Sequence, residues 1–255
     1  MVRILVVNDD GIASEGIAVL ARALQPLGEV TVVAPDGDRS GTSHSISVHS
    51  AVRAQAMPEA GLRRFACSGT PADCVLLGVN ELCGGRPDIV LSGINRGANL
   101  ADDVNYSGTV AAAVEATIVG VPAIAVSLAS SWPKQDPVHY WDVAASVARR
   151  LATEVLREPL PPGTYWNVNV PNVAELRGIR FTRLGRKQYA DRLAREDDGG
   201  AGAAYYWVWD MSHLGGGDDT DTVAVDGGYA SVTPLQIDRT DEATLRRYAA
   251  RTLPA

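Results

Sequence analysis

Asp9 and Asp10 stand side by side in the opening stretch RILVVNDDGI, residues 3–12. The run Ile4-Leu5-Val6-Val7 before them reads as a short strand covered on both faces. Adjacent carboxylates repel, and desolvating them is costly unless a cation or hydrogen-bond donors compensate. One account is a helix cap or turn, positions that Asp and Asn suit. A cap needs one such residue, however, and Asn8, Asp9 and Asp10 supply three. The other account is a metal ion. Further oxygen ligands are on offer in Ser40 of PDGDRSGTSHS and Asn95 of SGINRGAN, each after a later apolar run; either also suits an ordinary turn. Two carboxylates with hydroxyl and amide oxygens form a hard, all-oxygen set, suited to Mg2+ or Mn2+ rather than zinc.

Ser107, Gly108 and Thr109 open the alanine-rich stretch NYSGTVAAAVEA. A helix beginning there presents free N–H groups and a positive dipole end, a favourable site for phosphate. Capping by Ser107 alone is the plainer alternative. A metal-activated water needs a phosphoryl group to attack, so the two features support each other. SGTPADCV, residues 68–75, could repeat the phosphate theme, with Pro71 at the first position of a helix. His44 in GTSHSIS is a candidate for proton transfer, a structural hydrogen bond being the commoner role. His49, His139 and His213 suggest no partner. Asp218, Asp219 and Asp221 in HLGGGDDTDT could hold a second cation, although the glycines favour a mobile, solvated loop.

Bringing residues 9, 40 and 95 together requires parallel strands that end on one edge of a sheet. ASEGIAVLARALQPLG spaces Ile17, Leu20, Ala21 and Leu24 as a helix behind a cap at Ser14, stopped by Pro26 and Gly28. EVTVVAP gives the next strand, Val30 to Ala34, completing a right-handed β-α-β unit. RPDIVLSGIN reads as a strand ending near Ser92, and VPAIAVSL as another after the alanine-rich helix. Alternation of this kind predicts an α/β fold, a Rossmann-like, doubly wound, mostly parallel sheet whose ligands sit outside the carboxyl ends of its strands. Residues 44–67 read as a hairpin or an excursion from the sheet. Beyond residue 131 come an amphipathic helix (VHYWDVAASVARRLATEVL), an alternating strand (TYWNVNVP), an aromatic strand (AYYWVWD) and a terminal helix starting at Thr240. The aromatic strand suits an interface or ordinary packing.

The bulk numbers exclude several classes. A chain of 255 residues, 46% hydrophobic and 21% charged, can bury a large core. A net charge of −7 and a pI near 5.1 argue against a nucleic-acid clamp. Three cysteines, Cys67, Cys74 and Cys83, show no paired spacing, so a reducing cytoplasm is expected, with neither disulfides nor zinc. No signal-peptide pattern precedes the first strand. Thr109 to Ser130 is apolar enough to suggest a membrane span, but Glu115, Gly120 and Pro122 make helix, turn and strand the better reading. No GxGxxG follows the first strand, which disfavours a dinucleotide-dependent oxidoreductase. A non-catalytic nucleotide- or phosphate-binding module is the remaining alternative to an enzyme.

ILVVNDDG, VVAPDGDRSGTSHSIS, CSGTPADCV, DIVLSGINRGANLADDVNYSGTVAAAVEA, VNVP and GGYASVTPL, in that order, resemble the survival protein SurE family of metal-dependent nucleotide phosphatases. The resemblance is loosest around residues 185–220. It implies one divalent cation per subunit, Mg2+ or Mn2+, held by Asp9, Asp10, Ser40 and Asn95. Ser107, Gly108 and Thr109, with Asn95, would contact the substrate phosphate. It further implies a Rossmann-like core over residues 1–130. Residues 131–255 would complete the fold as one integrated domain and mediate oligomerisation, giving a homodimer or homotetramer. The implied reaction is hydrolysis of nucleoside 5′-monophosphates, with 3′-nucleotides and short polyphosphate as further substrates. Asp9 or Asp10 would orient or deprotonate the attacking water; direct attack by an aspartate stays open from sequence. No nucleic-acid or membrane partner is expected.

Overall fold

The computed structural model describes residues 1–59, 61–130, 136–189, 194–197, 204–207, 211–249 and 251. The first β-α-β unit is β1 (Arg3–Val7), α1 (Glu15–Leu24) and β2 (Glu29–Pro35). A hairpin of β3 (Ala54–Met57) and β4 (Arg63–Cys67) follows, then α2 (Pro71–Leu77), β5 (Ile89–Arg96), α3 (Gly108–Ile118) and β6 (Ala123–Ala129). The second half contributes α4 (Trp141–Arg157), β7 (Thr164–Pro171) and β8 (Ile179–Phe181). Two antiparallel pairs follow, made from β9 (Arg186–Tyr189), β10 (Ala194–Asp197), β11 (Ala204–Trp207) and β12 (Met211–Gly215). The chain then forms α5 (Asp221–Asp226), β13 (Ala230–Gln236) and α6 (Glu242–Tyr248).

One sheet runs in the order β3-β4-β2-β1-β5-β6-β7-β13-β8. Its central strands, β4 through β7 in that order, are all parallel, while β3 and β13 are antiparallel to their neighbours β4 and β7. Of residues 44–67, read as a hairpin or an excursion from the sheet, only 54–67 form a hairpin, which extends the sheet at one edge. Strand order reverses beside β1, which pairs with β2 on one side and β5 on the other, so the crevice of this doubly wound sheet opens at the end of β1. Alternation along β1 explains both covered faces. Ile4 and Val6 pack with α1 and α4, including Leu20 and Leu151; Leu5 and Val7 pack with α2 and α3, including Val75 and Val110. Residues of the second half, in β7, β13 and β8, continue the same sheet. Thr109–Ser130 forms helix, turn and strand, and among the described residues no helix is long and apolar enough to cross a membrane.

β5 departs from the sequence reading. It does not end near Ser92; after a register shift against β6 between Ser92 and Asn95 it resumes to Arg96, placing Asn95 opposite Ser127. Gly93 makes this possible: its φ is +138°, and a Cβ there would lie 2.2 Å from the main-chain oxygen of Val126. Asn95 is therefore held by a strand rather than carried on a loop. Gly93→Ala is expected to cost at least about 4 kcal/mol, because neither backbone can give way inside the sheet. Urea unfolding checks this, and a loss below about 1 kcal/mol would contradict it.

Other expectations shift for local reasons. Ser14 stands at the N-cap position of α1, but its hydroxyl makes no cap bond and accepts instead from Asn8 Nδ2 at 2.7 Å. The last helix is capped by Asp241, which accepts from the amides of Ala243 and Thr244, so it starts beyond Thr240. The stretch HLGGGDDTDT is only partly a loop, since β12 reaches Gly215 and α5 begins at Asp221. Of AYYWVWD, residues 204–207 form β11, paired with β10 through the main chain, and 208–210 lie outside the described residues.

Candidate functional site

Asn8 builds the turn that presents the acidic pair. It is fully buried, its Nδ2 donates to the Gly11 carbonyl at 3.0 Å, and its Oδ1 accepts from the Gly11 amide at 3.2 Å. Asp9 follows, 3% exposed, with Oδ1 accepting from the Thr109 hydroxyl at 2.5 Å. Burial, reinforced by the neighbouring Asp10 charge, pushes the Asp9 carboxyl up to about 6, against the lowering effect of Thr109. The loop after β2 is tied to this point: Arg39 N donates to the Asp9 carbonyl at 2.8 Å, which brings Ser40 alongside. The end of β5 is tied in too, with Arg96 N donating to Asp10 Oδ2 at 3.0 Å. Three strand ends therefore converge on residues 9 and 10.

The side chains between these ties are oxygen-rich. Ser40 is exposed; its amide and hydroxyl both donate to Asp38 Oδ1, at 2.7 and 2.6 Å, leaving the hydroxyl's lone pairs as acceptors. Asn95 Nδ2 donates to the Gly97 carbonyl at 2.9 Å, which fixes the amide plane and leaves Oδ1 for a ligand. Among the described residues no group of three or more His, Cys, Asp or Glu side chains could hold a metal ion. A cation at this edge would have to combine the two carboxylates with hydroxyl and amide oxygens. The donors present are hard and suit Mg2+ or Mn2+. A buried carboxylate beside a second one, with its pKa pushed up, is the state a cation would relieve.

The amino end of α3 presses on Asp9 from the other side. Ser107 is its N-cap, the hydroxyl accepting from Val110 N at 3.0 Å. Gly108 packs so closely that a Cβ would stand 2.8 Å from Asp9 Cβ and 2.9 Å from Oδ2. The Thr109 hydroxyl is spent on Asp9, so it orients the carboxylate rather than facing outward as a phosphate contact. The loop carrying Ser40 is also clamped here: Ser43 N donates to the Tyr106 carbonyl at 3.2 Å, and Ser43 Oγ to Asn105 O at 2.7 Å. His44 Nε2 meets Glu115 Oε2, on α3, at 2.7 Å. The imidazole thus has the structural bond that was the alternative to proton transfer.

The family described as survival protein SurE matches residues 4–191 of this chain. The chain belongs to the SurE family. A 5′-nucleotidase SurE of Syntrophotalea carbinolica is 48% identical over 247 residues, covering 93% of this chain and 92% of the relative. A 5′/3′-nucleotidase SurE of Cronobacter sakazakii is 47% identical over 241 residues, covering 93% and 91%. The crystal structure of the SurE protein from Aquifex aeolicus superposes with a TM-score of 0.83 at 39% identity, covering 96% of this chain and 98% of that one.

In this SurE-family chain, two expected anion or cation sites are otherwise occupied. At the amino end of α2, Asp73 accepts from Thr70 N at 2.8 Å and from the amide and hydroxyl of Ser47 at 3.0 and 2.7 Å. The chain's own carboxylate fills the place read as a second phosphate site. Asp221 is fully buried and accepts from the amides of Ala101, Gly185 and Thr222 at 2.9, 2.7 and 2.8 Å, while Asp219 pairs with Arg183. It is a brace and not part of a solvated cation loop. A second brace is Asn99, buried, whose amide donates to Asn169 Oδ1 at 2.7 Å and whose side chain donates to Ser127 at 2.8 Å. Its carbonyl accepts from Asn167 and Asn169. Together they pin the segment between β5 and α3. Sequence reasoning missed Glu115 and Arg96. Their only signal is a lone charge within an otherwise apolar or uncharged motif.

Proposed function

We propose that this protein is a metal-dependent phosphomonoesterase that hydrolyses nucleoside 5′-monophosphates, and 3′-monophosphates as a further substrate, to nucleoside and phosphate. The observation that carries this reading is the buried Asp9 carboxylate, set beside Asp10 and pressed against the amino end of α3. Support comes from the nucleotidase names of relatives that align over more than nine-tenths of the chain.

Asp9, Asp10, Ser40 and Asn95 would hold one Mg2+ or Mn2+ per subunit. Such an ion supplies positive charge to phosphoryl oxygens and lowers the pKa of a nearby water. Asp9 or Asp10 would orient or deprotonate the attacking water, with Thr109 fixing the direction of Asp9. The N–H groups at the start of α3 stabilise charge that develops on the phosphoryl oxygens. Asn95 and Ser107 would contact the substrate phosphate. His44, fixed by Glu115, holds the Ser40 loop against α3. Homodimers or homotetramers built through the second half, in a reducing cytoplasm that keeps the buried thiols of Cys67, Cys74 and Cys83 free, complete the reading.

The test is phosphate release from 5′-AMP and 3′-AMP by chelator-stripped protein, with and without added Mg2+ or Mn2+. Turnover that returns only with the cation is the expected result. Nucleotide binding with no turnover under any divalent ion would identify a binding module instead.

A further inference from the structure

Arg96 is the last residue of β5, directly after Asn95, and its amide already holds Asp10. Its side chain is half-buried and points to a specific partner: Nε donates to His139 Nε2 at 3.1 Å. An arginine nitrogen can only donate, so the accepting imidazole nitrogen carries no proton. His139 therefore steers the guanidinium without neutralising it. The imidazole is itself stacked on Trp141, centroids 5.3 Å apart and planes 13° from parallel, and Trp141 is buried at the start of α4. Among the described residues no ion pair joins a carboxylate to the Arg96 side chain. A half-buried guanidinium anchored at Nε, with no carboxylate paired to it among the described residues, leaves two terminal amino groups in a fork. That fork matches two oxygens of a phosphoryl group.

We propose that Arg96 binds the phosphoryl group of the substrate, and that His139, backed by Trp141, is the positioning residue that aims it. The proposal rests on the phosphomonoesterase reading. An acidic pair at the site explains why a cationic side chain is called for there: a divalent ion held by the two carboxylates only brings them to neutrality, which leaves no net positive charge to meet the substrate dianion.

The experiment compares the parent with Arg96→Gln, Arg96→Lys, His139→Leu and His139→Gln, all with Mn2+ present. Three quantities are measured: KM and kcat for 5′-AMP, affinity for inorganic phosphate by calorimetry, and inhibition by adenosine. Arg96→Gln is expected to weaken KM and phosphate affinity together by about tenfold to a hundredfold, leaving adenosine inhibition unchanged. Arg96→Lys retains charge but not the fork and recovers only part of the loss. His139→Leu moves phosphate affinity in the same direction, and His139→Gln, which keeps an acceptor, restores it. Unchanged phosphate affinity in Arg96→Gln and Arg96→Lys overturns the proposal. So does an equal loss of phosphate and adenosine binding, which marks Arg96 as a purely structural cation. A parent that binds phosphate but releases none from nucleotides defeats the functional reading separately, since the calorimetry needs no turnover.

Discussion

Asp9→Asn is expected to lower turnover by at least about a thousandfold, because it removes one of two anionic donors and the group that orients water. The same substitution should make the metal-free protein more stable. The ordinary carboxyl value is 3.8 and burial beside Asp10 raises it to about 6 in the fold. A raised value means the folded state favours the proton. Below about pH 3.8 the residue imposes no penalty; as pH rises through 6 the penalty grows to roughly 3 kcal/mol and then stays. Asparagine carries no charge to desolvate and can still accept from Thr109. For a chain of this size the gain corresponds to about 5–10 °C in Tm at pH 7.5, with the two proteins converging near pH 4. Saturating Mn2+ should reverse the order, raising the parent alone. Thermal scans at both pH values, with and without the cation, read all of this. A metal-free variant no more stable than the parent at pH 7.5 would mean that Asp9 is not held at that cost.

Gly108→Ala should separate activity from stability in the opposite way to a core substitution. Alanine is the better helix former, and position 108 is the first residue of α3, so the helix itself has no reason to suffer. The added Cβ, however, arrives 2.8 Å from Asp9 Cβ and 2.9 Å from Oδ2. Asp9 is held by Thr109 on the same helix, so it cannot simply rotate away. To restore ordinary contact, either the carboxylate or the helix end must move by about 0.6 to 1 Å. Displacements of that order at a reacting centre cost about a hundredfold in rate. The expected result is kcat down by about a hundredfold, weaker cation binding, and a Tm within a few degrees of the parent. Retention of half the activity would show that the contact between helix and carboxylate plays no part in the chemistry.

Much of the scaffold could be read from the chain because its signals are local. Ile4 to Val7 and Val30 to Ala34 are continuous apolar runs, and a run buried on both faces belongs in a parallel sheet. Ser107 before an alanine-rich stretch announces a helix start, and the structure uses it as one. What stayed hidden depends on distant partners. Asn95 looked like a loop residue because nothing in SGIN reveals that Gly93 lets the strand bend and resume. Asp221 looked solvated among glycines, yet amides from residues 101, 185 and 222 make its burial tolerable. His139 suggested no partner because Arg96 lies 43 positions away. Thr109 resembled a phosphate contact, and only the approach of Asp9 shows where its hydroxyl goes.

The two braces behind the site also impose an order of events on synthesis. Every group proposed to touch cation or phosphate, from Asp9 to the start of α3, lies in the first half of the chain. The groups that pin the segment between β5 and α3 come later, from Asn167, Asn169 and Asp221. At ribosomal rates the interval from residue 109 to residue 221 is on the order of ten seconds. During that interval the nascent chain carries its whole set of ligands on a platform still waiting for its fasteners. A growing chain of this protein would therefore become competent for chemistry late, only once Asp221 has been made and docked against Ala101.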